Sequence, residues 1–123
     1  MEKEEHQITV VRVFDYKGRT CVVIGIWLNF IGNYHCGYVE VLPKNKGKKY
    51  EEGKFDKITA EEITYSGSLD HINSPELLGI KGKYFVGFDT AHYWNDLHPE
   101  TKTFKSVFGR TKKLCDEMIK NGI

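Results

Sequence analysis

A chain of 123 residues with 40% apolar composition has material for one ordinary hydrophobic core, so a single domain is expected. Its 18 basic and 17 acidic residues nearly cancel, which removes the positive field that gives a duplex-DNA binder most of its affinity. The longest apolar run, Cys21 to Ile31, is broken by Gly25 and Asn29 and falls short of the roughly 20 residues that span a bilayer, so no membrane partner is expected.

The opening MEKEEHQ carries three glutamates where a signal peptide has a basic start and an apolar core, and the expected location is the cytoplasm. Three widely spaced cysteines, Cys21, Cys36 and Cys115, read as free thiols rather than a disulfide framework. With no CxxC, HxxxH or HExxH, a zinc site would have to be assembled from scattered residues, and no metal or cofactor is implied.

In chain order, Gln7–Phe14 and Thr20–Phe30 are rich in β-branched and aromatic residues and flank the turn-forming Asp15-Tyr16-Lys17-Gly18, which predicts a β-hairpin. Both faces of the second strand are apolar, so it belongs in the middle of a sheet. More apolar surface results than a lone helix covers, and a homodimer or an assembly of dimers is expected. Gly37–Leu42 alternates as a third strand that Pro43 ends. Lys44–Lys57, rich in Lys, Gly and Glu, reads as a solvated loop.

Ile63–Ser66 and Lys83–Asp89 read as two more strands, separated by the turn-rich stretch Gly67–Gly82. From Phe104 to Ile119 the period becomes helical, with Val107, Thr111, Leu114, Cys115, Met118 and Ile119 on one apolar face. Thr103 suits the N-cap, Pro99 can open an earlier turn, and Gly122 suits the left-handed position after the helix. The expected fold is α+β: a mostly antiparallel sheet of about five strands covered by a C-terminal helix.

The densest chemistry lies in Tyr84–Asp96, where five aromatics, a histidine, two aspartates and an asparagine fall within thirteen residues. Strand alternation puts Phe85, Gly87 and Asp89 on one face and Tyr84, Val86 and Phe88 on the other. One reading lays a flat base on Phe85, with Gly87 allowing close approach and Asp89 accepting from ribose or amino groups; the other makes Phe85 and Phe88 core, Gly87 a bulge and Asp89 a turn stabiliser. Trp94, in a polar loop, either anchors that loop or gives a stacking wall. Asn95 offers a donor and an acceptor to a purine edge or ribose. Arg110, near the helix start, suits a phosphate, or is simply solvated or ion-paired.

The same residues also admit catalytic readings. Asp89, His92 and Asp96 could hold a divalent metal for phosphodiester cleavage, and Cys36 could pair with His92 as a thiol nucleophile. Cys36 lacks a glycine elbow or helix N-terminus to lower its pKa, which makes a buried structural thiol the simpler reading.

The succession Cys36-Gly37-Tyr38-Val39, Ile63-Thr64-Tyr65-Ser66-Gly67 and Val86-Gly87-Phe88-Asp89-Thr90-Ala91-His92, followed by a short C-terminal helix, resembles a group of small phage proteins, the type-one Thoeris anti-defence family. The resemblance implies a sponge that sequesters a cyclic ADP-ribose isomer made by a TIR-domain enzyme without degrading it. It implies homo-oligomers with pockets where two subunits meet, some of which also hold cyclic trinucleotides at separate sites; the basic loop at Lys44–Lys49 could contribute to such a site. Phe85, Asn95 and Arg110 match the family's stacking ring, asparagine and helical arginine. The ligand-binding set expected here is therefore Phe85, Phe88, Asp89, Trp94, Asn95 and Arg110, and no catalytic residue is expected. A metal-dependent nucleotide hydrolase and an inhibitor that binds a host protein are the alternatives.

Overall fold

The computed structural model describes residues 6–28, 32–49, 55 and 57–123. Five strands form one antiparallel sheet: β1 (His6–Tyr16), β2 (Arg19–Leu28), β3 (Gly32–Glu40), β4 (Tyr65–Gly67) and β5 (Phe85–Asp89), in the spatial order β1-β2-β3-β5-β4. A short helix α1 (Tyr93–Leu97) and a long C-terminal helix α2 (Phe104–Lys120) follow. Strands followed by a covering helix is the α+β architecture that the sequence leads one to expect. No helix among the described residues is long and apolar enough to cross a membrane.

The hairpin between β1 and β2 closes on Lys17 and Gly18, both with positive φ (51° and 82°), the conformation whose twist matches that of the flanking strands. Asp15 Oδ1 accepts from the Gly18 amide at 3.2 Å, so the turn closes two residues later than the polar run suggests, and β1 extends to Tyr16. β3 starts at Gly32 rather than Gly37, because Asn33, Tyr34 and His35 pair with Trp27, Ile26 and Gly25 of β2. Backbone pairing with an adjacent apolar strand outweighs the weak strand preference of these residues. Residues 29 and 30, expected at the end of the second strand, lie outside the described residues, as does residue 31.

One face of the sheet packs on α2, where Val107, Thr111, Leu114, Cys115 and Met118 are fully buried against Cys21, Val23, Val39, Val86 and Phe88. Ile119, expected on this face, is 38% exposed because it sits at the edge of the stripe. Gly37 is what lets the helix approach: a Cβ there would stand 2.1 Å from Thr111 Oγ1 and 2.8 Å from the Phe88 ring. Thr103 caps α2 by accepting from Ser106 N at 3.2 Å. At the other end Gly122 adopts φ 69° while Ile123 N donates to Met118 O and Gly122 N to Ile119 O, a Schellman closure.

The opposite face also packs within the chain, so the two apolar faces of β2 are not by themselves a reason for a partner. A 3-10 helix, Pro75–Ile80, and the residues before it bring Leu69, Ile72, Leu77 and Ile80 onto Val22, Ile24 and Phe85. The turn-rich composition of Gly67–Gly82 hid these four anchors, since single apolar residues between turns carry no period.

The stretch Lys44–Lys57 is likewise more than a solvated loop. Asn45 is buried and donates to the carbonyl of Ile123, whose oxygen also accepts from Leu42 N, and Phe55 is buried in the core under α2. Residues 50–54 and 56 lie outside the described residues.

Glu117 of α2 ties down the next segment: its carboxylate accepts from Thr59 N (2.6 Å), Thr59 Oγ1 (2.9 Å) and Ala60 N (2.7 Å). Desolvation raises its pKa, but these three donors outweigh that and hold it below the ordinary glutamate value of 4.5. A carboxylate with a depressed folded pKa contributes stability that is complete above 4.5 and is withdrawn as pH falls through the lower folded value. Glu117→Ala is expected to cost about 1–2 kcal/mol at neutral pH by urea denaturation, given the carboxylate's position near the surface. The gap from the parent protein is expected to close as the pH falls through that lowered folded value.

Candidate functional site

The end of β5, helix α1, the segment before β4 and the first half of α2 converge on one cleft of about 260 Å³. Thr59, Ala60, Glu61, Glu62, Asp89, His92, Trp94, Asn95 and Arg110 line it. Four of the six residues expected from the sequence, Asp89, Trp94, Asn95 and Arg110, thus meet in space although twenty-one residues separate the first from the last.

Phe85 and Phe88 do not join them. Phe85 is fully buried among Val22, Ile24, Leu69 and Leu77, on the face away from α2, so it offers no surface on which a base could stack. Phe88 is buried beneath α2, where the Arg110 guanidinium lies 5.4 Å from its ring centroid. The space above Gly87, read as room for a ligand, holds the Tyr38 ring; a Cβ there would fall 2.3 Å from that ring and 2.8 Å from the Gly37 carbonyl. Core packing therefore claims the strand's aromatics, as is usual for the interior of a small domain.

Asp89 is oriented on three sides. Its Oδ2 accepts from Thr64 Oγ1 at 2.9 Å, its Oδ1 accepts from Ala91 N at 2.9 Å, and His92 Nε2 lies 3.2 Å from the same Oδ1. Such fixation leaves a carboxylate edge pointing to the cleft at little entropic cost.

Trp94 is not in a loop but on α1, whose start His92 and Pro99 beyond its end conceal in the sequence; at five residues, the helix is also too short to show a period. Its indole is 55% exposed and has one flank against His98, at 4.6 Å between ring centroids. Among the described residues Trp94 is the only aromatic lining the cleft apart from the His92 imidazole.

Asn95 is 3% exposed and committed to local structure: Nδ2 donates to Thr101 Oγ1 at 2.8 Å and Oδ1 accepts from the His92 amide at 3.3 Å. This corrects its expected role as an edge reader, because both ends of the amide are in use and it instead fixes the start of α1.

Arg110 is neither solvated nor free. Its Nε and Nη2 donate to the two oxygens of Glu61 at 2.7 Å and 2.5 Å, and Nη1 donates to Thr101 O at 3.4 Å. The Glu61 side chain is 8% exposed and that of Arg110 26%, so this fork-to-fork pair is largely removed from water. Glu61 and Glu62 escaped sequence reasoning; two acids between Ala60 and Ile63 carry no periodic signal, and only the fold brings them opposite α2. With Glu61, Glu62 and Asp89 against Arg110, the walls hold more negative than positive charge, which favours hydroxyl and amino groups of a ligand over an unaccompanied phosphate.

The catalytic alternatives fare differently. Asp96 forms an ion pair with Lys102 instead of joining Asp89 and His92, and no group of three His, Cys, Asp or Glu among the described residues could hold a metal ion. Cys36 is buried, and burial first, with the Asp89 carboxylate second, pushes its thiol up to about 12, the opposite of what an activated nucleophile needs. No protein-family model, curated protein or solved structure matches this chain.

Proposed function

We infer that this protein binds the nucleoside end of a small nucleotide in this cleft and holds it without turnover, the ligand class being the cyclic ADP-ribose isomers that the resemblance to the Thoeris anti-defence group implies. The observation that carries the reading is the convergence of Asp89, Trp94 and Arg110, from three separate elements, on one cleft. Trp94 provides the base-stacking face, Asp89 accepts from ribose hydroxyls, and Arg110 meets the diphosphate.

Glu61 is a placeholder in this scheme: its carboxylate occupies the Arg110 fork until a phosphate displaces it. In this reading a second copy of the chain closes the open side of the cleft, the homo-oligomer that the resemblance implies.

The test is chemical. After incubation with a cyclic ADP-ribose isomer and heat denaturation of the protein, the ligand is expected back intact, with or without Mg²⁺ or Mn²⁺. A linear or dephosphorylated product contradicts sequestration and favours a hydrolase.

A further inference from the structure

β1, β2 and β3 run on past the start of α2, and the face that α2 covers further along is there left open. Register places two rungs of three residues on that face: Thr9, Gly25 and His35, then Gln7, Trp27 and Asn33. Together with Val11 they line a hollow of about 250 Å³, remote in sequence from the cleft and sharing no residue with it.

Each rung has a distinct job. Gly25 makes a floor: a Cβ there would meet Val11 Cγ2 at 3.3 Å and His35 Nε2 at 3.5 Å, so its absence leaves those groups as walls. Trp27, 45% exposed, stands in the second rung with a carboxamide on either side, each one strand spacing of about 4.8 Å away. Among the described residues no side-chain hydrogen bond engages Gln7, Thr9, Trp27 or Asn33.

His35 is held for use. Its Nδ1 lies 2.7 Å from the Lys102 carbonyl, which can only accept, so Nδ1 carries the proton and Nε2 of the neutral ring is an acceptor facing the hollow. Its backbone is clamped by the buried Thr90 hydroxyl, which accepts from His35 N at 3.3 Å and donates to His35 O at 2.8 Å.

Among the described residues no charged side chain lines this hollow, which sets it apart from the acidic cleft. We propose that it is a binding site for a neutral pyranose sugar, whose apolar C–H face lies on the Trp27 indole while ring hydroxyls on its two edges bond to Gln7 and Asn33 and a further hydroxyl donates to His35 Nε2. A hydroxyl both donates and accepts, and a carboxamide supplies both functions side by side, whereas an anionic ligand would find no counter-charge.

The experiment titrates the full chain, in a Trp94→Phe background so that Trp27 is the reporting indole, with glucose, galactose, mannose, N-acetylglucosamine and maltose, and with adenosine and uridine as controls. At least one sugar is expected to shift Trp27 fluorescence saturably at millimolar concentration. Trp27→Ala, followed by calorimetry, is expected to weaken that sugar at least tenfold. His35→Asn, whose amide N–H can keep the bond to Lys102 O while Nε2 is lost, is expected to weaken it several-fold with an unchanged melting temperature. Absence of saturation by every sugar overturns the proposal, as does a larger Trp27 fluorescence response to the nucleosides than to any sugar, or sugar affinity unaffected by Trp27→Ala. Binding of cyclic ADP-ribose isomers at the cleft is read separately and stands or falls without this result.

Discussion

Phe85→Ala is expected to destabilise the protein by about 3–5 kcal/mol, because it empties the centre of the core on the face away from α2, where the ring packs with Val22, Ile24, Leu69 and Leu77. A loss of that size takes much of the margin of an average small domain, so soluble expression is expected to fall as well. Urea denaturation at 25 °C measures it. A cost below about 1 kcal/mol would mean that Phe85 lies at a surface, as the family pattern implies, and that the packing described here is wrong at this point. Phe85→Leu, which keeps most of the apolar volume, is expected to recover most of the stability.

The second large effect concerns the ion pair under the cleft. Removing the guanidinium alone, in Arg110→Ala, leaves the Glu61 carboxylate at 8% exposure without its two donors, at an expected cost of about 2–4 kcal/mol. Read from the sequence as an exposed residue, Arg110 could be removed with hardly any change in melting temperature; its pairing with Glu61 reverses that expectation. Glu61→Gln separates stability from function. If Glu61 merely builds the fold, the variant binds nucleotide no better than the parent. On the placeholder account the neutral amide competes less well for Arg110, and affinity for a cyclic ADP-ribose isomer is expected to rise about three- to tenfold by calorimetry, a gain of roughly 0.7–1.4 kcal/mol.

The fold was legible where a period or a turn residue was present. Runs of β-branched and aromatic residues on either side of a turn gave β1, β2 and their hairpin, and the spacing of Val107, Thr111, Leu114, Cys115 and Met118 gave α2 with its caps at Thr103 and Gly122. What the sequence concealed depends on long-range contact. Asn33 to His35 become strand only because β2 lies alongside, and α1 is too short for a period to show. Leu69 and Leu77 act as core from inside a turn-rich stretch.

The site was legible as a region and not as a set of roles. Asp89, Trp94 and Arg110 were selected for chemistry and do share a cleft, whereas aromatic residues on a strand of a small sheet look alike whether they face a ligand or the core. Only burial separates Phe85 and Phe88 from Trp94. Glu61, which pairs with the Arg110 guanidinium, sits forty-nine residues from it in the chain, a pairing that no local pattern reports.

The central claim is that the cleft bordered by Trp94 holds the nucleotide, and the most direct measurement is calorimetric titration of a cyclic ADP-ribose isomer into the parent protein and into Trp94→Ala. The indole is 55% exposed, so its removal leaves the fold intact, while loss of the stacking face is worth about 1–3 kcal/mol. The account predicts saturable binding by the parent and affinity lower by roughly ten- to a hundredfold in a folded Trp94→Ala protein. Equal affinity in the two proteins, or no binding by either, would contradict it.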